Sequence, residues 1–312
     1  MMMNKFFVDV NWLKDHLNES NLVILDMPYG MNEYIKEDDN EKREYNNEHI
    51  PGAIKIDKEE LQGEDSDLNL YEADKLKGVF LKKGIDCKTL LVVYSDGIIA
   101  SSRVALAAYW LGVDNVKILL GGINSWKNAG FEVTTKIKNI VSKTDFGFKV
   151  PKRPEVLIST PDEVTKEQIE NPNFVLANIR SWEEYVGTKS GYPYIKGTGS
   201  PLGSVYAKAS TDRVNVEYIL SEEGNFCDLD QIFTEWKQWG ITKDKEVALF
   251  CGAGWRAAAI FFILKENGWS NIKVYDGGWY QWTKYHNRDP KRYKIQVGSP
   301  KSEEGISIIG EE

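Results

Sequence analysis

The chain has 312 residues, 42% of them hydrophobic and 28% charged, and a net charge of −8. That length exceeds what one core usually supports, so two domains are expected. The acidic balance argues against a nucleic-acid or anionic-membrane surface, and no apolar run approaches the roughly 20 residues that span a bilayer. The opening Met-Met-Met-Asn-Lys-Phe-Phe-Val is cut at Asp9, short of the apolar stretch of about 7–15 residues in a signal peptide. A soluble, cytoplasmic protein is expected.

In chain order, Leu22-Val-Ile-Leu25 reads as a buried parallel strand, and the acidic run Glu37–Glu41 as a solvated loop. His49-Ile-Pro-Gly-Ala53 follows. Apolar runs at 90–94 and 116–120 predict two more strands, with a helix over 101–111 between them. Gly121-Gly122 and Trp126 close this half. Lys136-Ile-Lys-Asn-Ile-Val-Ser-Lys143, followed by Pro151 and Pro154, has the turn-prone composition of a linker. Strands are then predicted at 174–177, 246–250 and 272–275, with a helix over 256–267 that stops at Gly268, a typical residue just past a helix end. The Gly-, Ser- and Glu-bearing end from 296 is expected to fray.

The chain repeats itself. At an offset of 156, residues 90–126 align with 246–282 without a gap, and Gly112/Gly268, Asn115/Asn271, Lys117/Lys273, Gly121/Gly277, Gly122/Gly278 and Trp126/Trp282 are identical. Leu22–Asp26 lies against Phe174–Asn178 at nearly the same offset. So long a period marks a duplicated domain, since solenoid repeats are far shorter. Alternating strands and helices imply two α/β domains, each a parallel sheet flanked by helices. The expected division is residues 1–138, a linker at 139–156, a second domain at 157–295 and a tail at 296–312.

Chemistry concentrates at Cys251-Gly-Ala-Gly-Trp-Arg256, the turn between a strand ending at Phe250 and the next helix. Gly252 and Gly254 let the backbone curl so that successive amides face one point, and the helix start adds partial positive charge there. Such a cradle favours a thiolate and suits the outer, anionic sulfur of a persulfide. Arg256 either charges the rim of this cradle or, as a helix-start residue, packs against a carboxylate. Trp255 either floors the pocket or covers the seam between domains. The bland alternative for Cys251 is a small buried hydrophobe at a strand end. Cys87 and Cys227 have no comparable surroundings and read as incidental. With three dispersed cysteines and no CxxC, neither a disulfide framework nor a zinc site is indicated, and no cofactor is expected.

His49-Ile-Pro-Gly-Ala53, the Cys251 loop and Asp276-Gly-Gly-Trp-Tyr-Gln-Trp282, in that order, resemble the rhodanese family of sulfurtransferases. Arg180-Ser-Trp-Glu-Glu-Tyr-Val-Gly187 and Ser190-Gly-Tyr-Pro-Tyr-Ile195 resemble the subgroup whose loop ends Gly-Trp-Arg. The resemblance implies tandem rhodanese-like domains, the first inactive, and the repeat places Ser95 opposite Cys251. It also implies transfer of sulfane sulfur from thiosulfate or 3-mercaptopyruvate, through a Cys251 persulfide, to cyanide, a thiol or a protein. Cys251 would be the nucleophile, and Gly252, Ala253, Gly254, Trp255, Arg256 and Arg180 would bind substrate. Where the family usually has Asp-x-Arg, this chain reads Asn178-Ile-Arg180. The uncharged Gly252-Ala253 pair departs from thiosulfate-type loops, and Arg256 departs from the Cys-Gly-Ser-Gly loops of mercaptopyruvate-type members. His49 is expected to be a hydrogen-bonding structural residue; Trp279 and Trp282 are expected in the core. Two alternatives stand beside sulfur transfer. One is a non-catalytic module that binds a protein; the other is a cysteine phosphatase or arsenate reductase, although those use a loop one residue longer.

Overall fold

A computed structural model describes residues 5–28, 44–221 and 224–310. The acidic run Glu37–Glu41 lies outside the described residues. The chain divides into two compact units. Met1–Ser66 and Leu70–Pro154 make up most of the first, and Glu155–Ser221 and Asn225–Glu312 most of the second.

In the first unit, strands β1 (Phe7–Val8), β2 (Leu22–Met27), β3 (Ala53–Lys55), β4 (Leu90–Ser95) and β5 (Asn115–Leu119) form one parallel sheet in the order β1-β5-β4-β2-β3. Helices α1 (Val10–His16), α2 (Ala73–Lys82), α3 (Ile98–Leu111) and α4 (Gly122–Asn128) connect them. In the second unit, β6 (Leu157–Ile158), β7 (Phe174–Asn178), β9 (Val205–Tyr206), β10 (Glu246–Phe250) and β11 (Ile272–Tyr275) repeat the order as β6-β11-β10-β7-β9. Its helices are α5 (Pro161–Glu170), α6 (Trp182–Val186), α7 (Leu229–Lys237), α8 (Trp255–Glu266) and α9 (Gly278–His286). The α/β class and the duplication are as the sequence predicts.

Central strands β4 and β10 are buried almost throughout, which is why their sequences are unbroken apolar runs without alternation. Helix α8 is buried from Trp255 to Leu264 and, Arg256 apart, is correspondingly apolar. It stops where predicted, with Gly268 at φ +79°. One apolar cluster of the first unit gathers Ile24, Val92, Tyr94 and Trp126; its counterpart gathers Leu176, Ala248, Phe250 and Trp282.

One expectation needs correction. The end of the chain does not fray: β12 (Ile295–Gly298) pairs antiparallel with β13 (Ile306–Ile309) and with β8 (Ser200–Pro201). Gly298 and Gly305, at φ +92° and +68°, turn this hairpin, so the glycines of the supposed tail are turn residues. The segment 139–156, expected as a linker, runs along the first unit as far as Pro154. Lys143 N–H donates to Leu81 O and Lys152 N–H to Leu111 O, and Phe146 and Val150 are buried.

Candidate active site

Parallel pairing of β7 with β10 sets Asn178 beside Phe250, so Arg180 and Cys251 leave the same ends of neighbouring strands. From there the chain runs on to β9 on one side and through α8 to β11 on the other. A crevice at the carboxyl ends of strands, where the connections diverge, is where open α/β sheets place their ligands.

Cys251 is 2% exposed. Gly254 adopts φ +77° and is the residue from which α8 starts; the first helical bond runs from Ala258 N–H to Gly254 O at 3.0 Å. Amides ahead of Ala258 are therefore not spent on the helix ladder. The loop's carbonyls are fixed from the other side: Trp279 N–H donates to Cys251 O at 2.8 Å, and Tyr280 N–H to Gly252 O at 2.9 Å. Gly278, at φ +52°, makes this possible, because a Cβ there would lie 2.6 Å from Cys251 O. Gly252 is needed for a different reason: its Cβ would enter the Tyr192 ring. Trp255 is buried at the start of α8.

Arg180 is fully buried. Its Nε donates to Asn178 Oδ1 at 3.1 Å, and its Nη2 donates to Gly199 O at 2.6 Å and Ser200 Oγ at 3.1 Å. Its Nη1 has no partner among the described residues. The guanidinium lies over Trp279, 4.8 Å from a ring centroid, and the buried Trp279 indole N–H is also unpartnered. Burial pushes Arg180 down to about 10, with Glu184 and Tyr192 pulling the other way; the Cys251 sulfur is near enough to act on the same charge. A buried cation with a spare donor beside a thiol has the makings of an anion subsite.

Arg256, at the start of α8, meets a carboxylate, and the Cys251 sulfur is near enough to act on its charge. The arginine is fully buried and donates to Ser210 Oγ at 2.7 Å, to Asp212 O and to the Tyr192 hydroxyl, and it pairs with Glu184 at 3.4 Å. Burial disfavours its charge, but Tyr192, Glu184 and Cys251 outweigh this and hold it more firmly cationic than a free arginine. Glu184 is held below the usual carboxylate range: burial raises it, and the Arg256 and Arg180 guanidiniums overcome that. Arg256 thus serves the protein's own carboxylate, and its Nε alone is left without a partner.

Tyr192 and Glu184 escaped individual notice in the sequence. Ser181-x-x-Glu184 is a readable capping box, and the structure has it, with Ser181 N–H donating to Glu184 Oε2 at 3.0 Å. Nothing in that motif reveals that the other carboxylate oxygen meets Arg256.

The first unit carries a closed version of the site. Ser95 Oγ donates to Gly97 O and accepts from Ser101 N–H at 2.9 Å, so the hydroxyl fills its own loop. Gly122, at φ +53°, abuts Ser95 O as Gly278 abuts Cys251 O. His49 is buried, with Nδ1 2.8 Å from Tyr45 O and Nε2 3.2 Å from Lys136 O, a tie between backbone segments. Trp282 is in the core, its indole N–H donating to Lys294 O at 3.2 Å. Cys227 Sγ donates to Glu217 O at 3.3 Å, and Cys87 is half-buried.

A cysteine at the crevice end of a parallel strand, backed by a Gly-Gly turn and built on a domain present twice, defines a class of α/β protein. Residues 9–129 and 160–285 each match the rhodanese-like domain, and the chain belongs to the rhodanese family. It is 35% identical over 244 residues to the thiosulfate sulfurtransferase YnjE of Escherichia coli K12. That match takes in 78% of this chain and 54% of the relative, so the chain spans about half the length of YnjE. The YnjE crystal structure superposes with a TM-score of 0.82, covering 94% of this chain and 68% of that one at 31% identity. The 3-mercaptopyruvate sulfurtransferase of E. coli K12 is 25% identical over 90% of this chain and 96% of its own length. A structure of an EanB cysteine persulfide with ergothioneine superposes with a TM-score of 0.82 at 26% identity, covering 95% of this chain and 71% of that one.

Proposed function

We propose that the protein is a sulfurtransferase in which Cys251 carries sulfane sulfur as a persulfide. The observation that carries this reading is the pairing of a buried thiol, in a loop whose carbonyls are tied back by α9, with the unpartnered Nη1 of Arg180. Sulfurtransferase activity in relatives supports it.

In the first half-reaction Arg180 holds the anionic group of the donor, a sulfonate in thiosulfate or a carboxylate in 3-mercaptopyruvate. The Cys251 thiolate attacks the outer sulfur of thiosulfate. A new S–S bond forms to Cys251, the old S–S bond breaks, and sulfite leaves with the bonding pair. With 3-mercaptopyruvate the C–S bond breaks instead, and the departing carbon takes a proton to give pyruvate. The remaining Cys251 persulfide is anionic at its outer sulfur, and the loop amides and the start of α8 stabilise that charge. In the second half-reaction a thiophilic acceptor, namely cyanide, a small thiol or a protein thiol, takes the outer sulfur and returns the Cys251 thiolate. A cytoplasmic setting, where thiols stay reduced, suits this cycle.

Intact-mass measurement after incubation with each donor tests the proposal. The expected result is a gain of one sulfur atom, absent in Cys251→Ser and lost on adding cyanide. No adduct with either donor would leave the binding module as the better reading, and turnover of an aryl phosphate would favour phosphatase chemistry.

A further inference from the structure

The two halves of the chain have exchanged charge at one position. Asp26 pairs across to Tyr94 in β4, and Asn178 pairs across to Phe250 in β10. Tyr94 and Phe250 immediately precede Ser95 and Cys251, so Asp26 and Asn178 are equivalent. In the half without the thiol this position is a buried carboxylate, accepting from the Tyr94 hydroxyl at 2.7 Å. In the half with the thiol it is a buried amide in contact with Arg180.

We infer that Asn178 sets the anion affinity of the Cys251 site by holding Arg180 in place without neutralising it. This rests on the sulfur-transfer reading of the site and adds a specificity-determining residue to it.

The hydrogen bonds are arranged for an amide. Asn178 Oδ1 accepts from both Arg180 N–H and Arg180 Nε, at 3.0 and 3.1 Å, while Nδ2 donates to Ser200 Oγ at 2.9 Å. Ser200 Oγ also accepts from Arg180 Nη2, and it donates its own proton to Tyr185 O at 2.8 Å. That hydroxyl therefore has no proton left to offer a second carboxylate oxygen at position 178. Asn178 thus directs Nε and Nη2 and leaves Nη1 unused. An aspartate could hold the same geometry through Oδ1 but would place a full negative charge about 3 Å from the guanidinium, cancelling the field that a donor anion meets. The charge balance agrees. Glu184 acts on Arg180, but its own hydrogen bond and ion pair go to Arg256. Two guanidiniums share one buried carboxylate, and the surplus positive charge lies beside Cys251.

The test is equilibrium binding of the two leaving anions, sulfite and pyruvate, to the full chain carrying Cys251→Ala, by calorimetry near pH 8. In this background Asn178→Asp is expected to weaken sulfite, a dianion, about tenfold or more and pyruvate, a monoanion, distinctly less. Asn178→Ser, which loses hydrogen bonds but adds no charge, should weaken both anions by a similar factor. Equal losses of sulfite and pyruvate in Asn178→Asp would overturn the inference, as would sulfite binding unaffected by that change or a sulfite-selective loss in Asn178→Ser. If the Asp variant does not fold, the parent's salt dependence decides: sulfite affinity should fall more steeply with ionic strength than pyruvate affinity, and parallel slopes would count against the idea. Because Cys251→Ala forms no persulfide, these results stand apart from the mass test, and a native chain that binds sulfite yet gains no sulfur would fail that test alone.

Discussion

The amide of Trp279 donates to the carbonyl of Cys251 at 2.8 Å, tying the loop of the thiol to the start of α9. Gly278 stands between them at φ +52°, with room for no Cβ. Gly278→Ala should therefore cost about 1–2 kcal/mol from the left-handed backbone alone. It should also slow persulfide formation at least about tenfold, by displacing the carbonyl that orients the loop. Gly78→Ala, inside α2 with nothing within 4 Å of the added Cβ, should do neither. Stopped-flow mass measurements and melting curves on the pair would check this, and equal behaviour would count against the tie.

Glu184 and Arg256 form a buried pair, and its acid sensitivity has a definite sign. The folded carboxyl is held below its ordinary value of 4.5, so the stabilisation is fully present above about that pH and lost as pH falls through the lower folded value. Glu184→Gln should cost about 3 kcal/mol at neutral pH, because it leaves a buried guanidinium without its counter-charge. The gap in melting temperature between the two proteins should narrow on acidification below pH 4.5. A gap that widens there would contradict the pairing.

Arg180, pushed down to about 10 by burial, gives a second pH signature. Donor KM should be flat with respect to this group through neutral pH and rise as pH passes about 10, where the guanidinium loses its charge. Arg180→Gln should raise donor KM by roughly one to two orders of magnitude and abolish that alkaline limb. An unchanged KM would remove Arg180 from donor binding.

Ser95→Cys, placed in a chain carrying Cys251→Ser, should gain no sulfur from either donor. Ser95 Oγ is already occupied by Gly97 O and Ser101 N–H, and α3 starts from Gly97 at φ −145° where α8 starts from a left-handed glycine. A persulfide on that residue would show that the thiol alone makes the site.

Much of this was legible in the residues. The long central strands are continuous apolar runs, and the identical glycines of the repeat mark the same turns twice. The short edge strands β1, β3, β6 and β9 were missed, since two or three residues carry no periodicity. The Cys251 loop was readable because glycines and a helix start sit next to each other in sequence. The partners of Arg256 were not legible, because Glu184, Tyr192 and Ser210 lie 46 residues or more away in the chain, and a local pattern cannot show that a charge is already matched. The final hairpin was missed for a related reason: its glycines look like slack until Pro201 and Ser200 are seen pairing with Ile295 and Gln296.

That hairpin gives the site a remote anchor. Ser200, which holds Arg180, belongs to β8, and the outer neighbour of β8 is β12. Gln296 reaches across to Gly203 N–H and Ser204 O, fastening the turn that follows. A cut just ahead of Ile295 would leave β8 without a strand beside it and take Ile295 out of the core that holds Phe250 and Trp279. Trimming at that point would therefore loosen the hold on Arg180 and the packing behind Cys251 together.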